Sequence, residues 1–141
     1  CYVSNNSFID QIAFDGMRKN LLKDFDQIYH LDLHGNIRKN PKLSGTTHNV
    51  FGIQVGVGIT VAIRSSKSLR KALYYYRVPE FWRKEEKLSY LGQLKNIFEI
   101  DWIELKPDAK QNWITDNMRG EFLDFLPIEK KRGERVERVQ F

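Results

Sequence analysis

"NVFGIQVGVGITVAI", residues 49–63, alternates two kinds of side chain. Phe51, Ile53, Val55, Val57, Ile59, Val61 and Ile63 are bulky, whereas Gly52, Gln54, Gly56, Gly58, Thr60 and Ala62 between them are small or polar. A period of two puts the bulky set on one face of an extended chain and leaves the other nearly bare. The stretch therefore reads as a strand, most clearly from Val55 to Arg64. Glycine weakens a strand interior and marks places where a backbone or a ligand comes close. Gly52, Gly56 and Gly58 thus predict a near neighbour on the bare face.

Upstream, "HGNIRKNPKLSGTTH" (residues 34–48) is rich in turn formers and carries Arg38, Lys39 and Lys42, which predicts a long basic loop. Before it, Tyr29, Leu31 and Leu33 alternate with Ile28, His30 and Asp32, a second strand over Gln27–Leu33. Phe14, Met17, Leu21, Leu22 and Phe25 recur at helical spacing, with Arg18, Lys19, Lys23 and Asp24 assigned to the solvated face. Tyr2 to Ser4 reads as the end of a buried strand, closed by Asn5, Asn6 and Ser7. Strand, helix, strand, loop, strand is an α/β pattern, and the loop allows the last two strands to pair in antiparallel sense.

Downstream, "KALYYYRV" predicts a strand, and Pro79 is placed to open a helix from about Glu80 that buries Leu88, Leu91, Leu94 and Phe98. A short strand over Ile100–Leu105 and a helix over Met118–Leu126 should follow, with the charged tail "EKKRGERVERVQF" as a linker or edge segment. The change of character near Ser65-Ser66 divides the chain into 1–66 and an α+β extension over 67–141.

With 141 residues the chain can bury the core of one ordinary domain. A formal charge of +5 permits an anionic partner without requiring one. Cys1 alone rules out a disulfide framework, no run of apolar residues is long enough for a membrane span, and an intracellular, cytoplasmic setting is the expectation. The chain opens on "CYVSNNSF", with no Met and an apolar run already under way, so it is expected to be part of something longer.

Several enzyme signatures are missing: no GxxxxGK[ST] loop, no GxSxG elbow and no HExxH pair occurs, and no helix follows the glycines of residues 52–58 to make a dinucleotide fingerprint. His30, Asp32 and His34 lie at alternate positions, a pattern able to hold a metal. A polar sheet face explains them more simply, and no metal is expected. Phe51, after a basic loop and before a glycine, suits stacking on a planar ligand, but it equally suits the first core position of a strand. Tyr74, Tyr75 and Tyr76 read as sheet packing, and Trp82, Trp102 and Trp113 as core or interface anchors. Asn5 and Asn6 stand where an α/β sheet places its site, beyond the carboxyl end of a strand.

Residues 2–63, "YVSNNSFIDQIAFDGMRKNLLKDFDQIYHLDLHGNIRKNPKLSGTTHNVFGIQVGVGITVAI", resemble the later part of N6-adenine DNA methyltransferases, above all the large single-chain, helicase-fused, type ISP-like restriction-modification enzymes. "YYYRVPEFWRKEEKLSYL" resembles their continuation. The resemblance implies the C-terminal part of a Rossmann-like seven-stranded sheet, its last three strands, with Val55–Arg64 as an antiparallel strand inserted between the other two. It implies that Phe51, with Asn5 and Asn6, borders an extruded adenine, and that Arg38, Lys39 and Lys42 contact the DNA backbone. The family's S-adenosylmethionine loop and Asn-Pro-Pro-Tyr motif are not in this sequence. The resemblance therefore implies S-adenosylmethionine only in an intact prokaryotic parent, none for this chain alone, and no catalytic residue in the chain. Expected partners are double-stranded DNA through the parent, the missing N-terminal half of the methyltransferase, and a second copy through an exposed sheet edge. The alternative is an autonomous DNA-binding or structural module without activity.

Overall fold

The computed structural model describes residues 1–43, 47–67 and 70–115. The helix expected over Met118–Leu126 and the charged tail lie outside the described residues. Among the described residues no helix is long and apolar enough to cross a membrane.

Among the described residues five strands form one mixed sheet: β1 (Tyr2–Asn5), β2 (Gln27–Asp32), β3 (Val57–Ile63), β4 (Ala72–Arg77) and β5 (Ile103–Leu105), in the order β1-β3-β2-β4-β5. β3 runs antiparallel to both β1 and β2, with Val3 opposite Ile59 and Leu31 opposite Ile59 on the other side. It occupies the inserted position that the resemblance implied. β4 pairs with β2 in parallel and β5 with β4 in antiparallel sense, so the sheet continues beyond β2. Among the described residues three α-helices accompany it: α1 (Ser7–Asp10), α2 (Asp15–Asp24) and α3 (Lys84–Gln93).

The sheet buries both faces. On one, Ile28, Leu73, Tyr75 and Leu105 pack with Phe8, Ile9 and Trp113, and Leu21, Leu22 and Phe25 of the α2 region close over them. On the other, Leu31, Leu33, Val57 and Val78 pack with Val50 and Ile100, under Tyr76, Trp82, Tyr90 and Leu91. A strand covered on both sides reads as nearly continuous burial, which β2 shows from Ile28 to Asp32.

The bare face of the opening stretch now has its reason. A Cβ on Gly58 would sit 2.3 Å from Asn6 Oδ1 and 2.6 Å from His30 Cε1 and Nε2. The close neighbours are two polar side chains of the same chain, from the β1 exit and from β2. The His30 ring cannot yield, because Phe8 packs edge-on to it at 5.5 Å, Tyr75 stacks at 6.1 Å and Thr60 bonds its Nδ1. Gly58→Ala should therefore cost about 2–3 kcal/mol by overpacking, measured by urea denaturation. Gly56→Ala, whose Cβ would meet only an ordinary contact at 3.4 Å, is the control. Equal stabilities of the two variants would refute this account of Gly58.

Four sequence expectations need correction. The strand is Val57–Ile63, slightly shorter than the Val55–Arg64 read most clearly, and the alternation before it leaves the sheet because Asn49 turns the chain and Gly52 adopts a left-handed φ of +68°. Phe51 is accordingly 62 % exposed and is no core residue. In α2 the buried member is Arg18, whereas Met17 is 42 % exposed, since Arg18 lies four residues after Phe14 and three before Leu21 on the inward stripe. The third helix starts at Lys84, after a turn in which Trp82 N–H donates to the Pro79 carbonyl at 3.2 Å. It buries Lys87, while Leu88 and Phe98 are exposed and Leu91 and Leu94 pack as expected.

Candidate nucleic-acid interface

A hydrogen-bonded network joins the carboxyl ends of β1, β2 and β4, the edge where open α/β sheets place their sites. Asn6, one residue past β1, donates through Nδ2 to Asp32 Oδ1 at 2.6 Å and to the Val57 carbonyl at 3.1 Å. Its Oδ1 must then accept from His30 Nε2 at 3.1 Å. That fixes the neutral His30 tautomer with the proton on Nε2, leaving Nδ1 to accept from the Thr60 hydroxyl at 2.8 Å. Burial pushes the His30 pKa down to about 4 against the opposing pull of Asp32, in keeping with a neutral ring.

Asp32 is 4 % exposed and accepts three further contacts: the Tyr75 hydroxyl at 2.7 Å, the His34 N–H at 2.8 Å and Arg77 Nε at 3.5 Å. Burial alone would raise its pKa, but the charges of His34 and Arg77 and these hydrogen bonds hold it below the ordinary carboxylate range. Arg77 Nε also donates to the Tyr75 oxygen at 2.9 Å. The His34 backbone sits at a left-handed φ of 55°, fixed by Asp32 on its N–H and by Val57 N–H on its carbonyl at 3.1 Å. His30 and Asp32 thus serve the sheet's polar interior, and no group of three or more potential metal ligands occurs among the described residues.

Beyond this network a cavity of about 580 Å³ is lined by His34, Asn36, Lys39, Lys42, Arg77 and Phe81 among others. Its volume is that of a small-molecule or nucleotide-sized site. Two buried polar atoms on its wall, His34 Nε2 and Asp10 Oδ1, have no hydrogen-bond partner in the protein among the described residues. Lys39 bridges Asp10 Oδ2 at 2.5 Å across the wall. Lys42 is exposed beside it. Arg38 stands outside the cavity, its Nε 3.4 Å from Gln54 Oε1.

Of the residues singled out from sequence, the structure brings Lys39 and Lys42 to one cavity wall. Phe51 lies apart from that wall, on the turn before β3. Asn5 makes a local turn, its Oδ1 accepting from Ser7 N–H at 3.0 Å, and Asn6 is engaged at both ends of its amide. Sequence reasoning missed Asn49, which is 1 % exposed and organises the Phe51 turn. It also missed the Tyr75–Asp32–Arg77 contact. Asp32 and Arg77 close β2 and β4, which is the one sequence signal for that contact, whereas Asn49 and Tyr75 carry none.

The two strand-to-helix connections among the described residues that leave this sheet edge, Asn6 and residues 78–83, contain no glycine.

No protein-family model matches the sequence, and no curated protein matches it. Solved structures do. A DrdV–DNA complex is 43 % identical over 79 % of this chain, with a TM-score of 0.69. The ATP-dependent Type ISP restriction-modification enzyme LlaBIII bound to DNA is 33 % identical over 79 %, with a TM-score of 0.70. A nuclease-deletion mutant of the Type ISP restriction-modification enzyme LlaGI, in complex with a DNA substrate mimic, is 28 % identical over 93 %, with a TM-score of 0.71. The matched regions span 11 %, 8 % and 13 % of those chains. The chain is thus similar, over most of its own length, to one segment of Type ISP restriction-modification enzymes and of DrdV, all solved with DNA.

Proposed function

We propose that this chain is the target-base and DNA-contact segment of an adenine-N6 DNA methyltransferase within a prokaryotic restriction-modification protein. The observation that carries the reading is Phe51: a ring 62 % exposed, held by backbone hydrogen bonds on a turn that follows a basic loop, in a chain similar to DNA-bound enzymes. Phe51 stacks on the extruded adenine, with Asn5 and the Asn6 backbone bordering the same sheet edge. Arg38, Lys39 and Lys42 hold phosphates and set the register of the duplex without reading sequence. Residues 1–66 supply the last strands of a Rossmann-like sheet, and the part from 67 onward extends it. The N-terminal half of the methyltransferase supplies the S-adenosylmethionine loop and the Asn-Pro-Pro-aromatic motif, and pairs with the open edge of β1. Methyl transfer relies on holding the adenine amine in line with the donor methyl, a positioning effect to which this segment contributes one wall.

The test is duplex binding by fluorescence anisotropy over a salt series. Phe51→Ala should weaken binding about 5- to 150-fold, the equivalent of about 1–3 kcal/mol of lost base stacking. Melting should hardly change, because the ring contributes little to the core. Lys42→Ala should lower the slope of log affinity against log salt by about one while leaving Phe51's contribution intact. A Phe51→Ala protein that binds as the parent does would refute the base contact.

A further inference from the structure

The turn that carries Phe51 is fastened from two sides. Asn49, buried to 1 % exposure, uses its whole amide on the backbone around Phe51. Its Oδ1 accepts from the N–H groups of Phe51 at 2.9 Å and Ile53 at 3.3 Å. Its Nδ2 donates to the carbonyls of Val55 at 2.6 Å and Gly35 at 3.2 Å. Gly35, with φ +86° and a Cβ position 2.9 Å from Asn49 Cα, lets the two segments come this close.

From the other side α3 grips the residues before the turn. The ammonium of Lys87, a residue with no exposed surface, donates to the His48 carbonyl. Lys84 N–H donates to the Thr47 carbonyl at 2.9 Å, and His48 Nδ1 donates to the Trp82 carbonyl at 3.2 Å. A buried ammonium is costly where no carboxylate pairs with it, and no carboxylate lies within ion-pair distance of Lys87 among the described residues. An apolar side chain of similar length would fill the same space at lower cost. What the ammonium adds is the bond to the segment that carries Phe51.

We infer that Lys87 and Asn49 are positioning residues for Phe51: they hold residues 47–53 in the one conformation that presents the ring, so that nucleic-acid binding does not have to order the turn. The inference rests on the reading of Phe51 as a DNA contact. Lys87 acts through His48 and touches no phosphate, which separates it from the surface lysines of the loop.

The experiment is a double-mutant cycle on duplex binding, with amide hydrogen exchange of the turn read in parallel. Lys87→Met and Asn49→Ala should each weaken binding about tenfold, the ordering penalty of about one backbone residue. Neither should change the salt slope, and both should speed exchange at the Phe51 and Ile53 amides. In a Phe51→Ala background neither should weaken binding further. Should Asn49→Ala not fold, Lys87→Met carries the test alone. Equal losses with and without Phe51, a lowered salt slope for Lys87→Met, or faster exchange with unchanged affinity would each overturn the inference and leave the DNA reading standing. A Phe51→Ala protein with normal affinity would overturn that reading and with it the purpose assigned here.

Discussion

Asp32→Ala is expected to destabilise the fold by about 3–5 kcal/mol, the scale of removing one partner from a buried charged network. The carboxylate is 4 % exposed and collects Asn6, Tyr75, the His34 backbone and Arg77 within 3.5 Å. Its loss leaves the Tyr75 hydroxyl and an Asn6 N–H buried with one partner fewer, and frees the left-handed His34 backbone. Urea denaturation followed by tryptophan fluorescence measures it, and Asp32→Asn should cost less because the shape and one accepting oxygen survive. A loss below about 1 kcal/mol for Asp32→Ala, the range of exposed ion pairs, would mean that water reaches the network and that it does not organise this edge.

Arg18→Met is the second large effect. The guanidinium has no exposed surface and donates to the carbonyls of Phe8 at 2.8 Å, Gln11 at 2.7 Å and Gln111 at 2.7 Å, with Asn112 Oδ1 at 3.4 Å. The first two carbonyls belong to α1 and its end, where a helix leaves acceptors without internal partners. The third sits at Gln111, a residue held at a left-handed φ of 61°. Methionine fills the volume but takes the charged donor from the Phe8 and Gln111 carbonyls, while the Gln11 carbonyl keeps only the Phe14 N–H at 3.2 Å. At about 1–3 kcal/mol for each buried unsatisfied group, partly relieved by relaxation, the expected loss is about 3–5 kcal/mol. A melting temperature lowered by about 10 °C or more would agree for a chain of this size. A shift of only a degree or two would show that water replaces the guanidinium and would refute its structural role.

Much of the sheet was legible because period-two patterns are local. The alternation of residues 57–63, the β2 run and "ALYYYR" each declare a strand without reference to the rest of the chain. What was not legible is the identity of the partner across space. The bare face of β3 announced a close neighbour, but only the fold shows that Asn6 and His30 fill it. Arg18 was misplaced, and Lys87 went unmarked, because a charge counts as solvated in any pattern scheme, whereas carbonyls gathered from distant segments make a polar lining for it. Phe51 and Ile53 continue the bulky alternation yet leave the sheet, because an asparagine hydrogen-bonding to nearby backbone competes with the ladder. At the candidate interface, the basic loop was visible in composition, and the clamp that orders its far end was not.

The inserted position of β3 also governs the order in which the chain can fold. β1 and β2 emerge early, joined by α1 and α2, and point the same way, yet they are not neighbours: a full strand separates them. β1 finds its partner only about 50–60 residues later, when β3 arrives to bond with both at once. Direct pairing of β1 with β2 would satisfy the early chain and shut out the latecomer. Two strands with one between them stand about 10 Å apart, twice the spacing of paired strands, and β3 fills that interval. The last of these three strands in the chain is thus the one that closes the sheet between the other two.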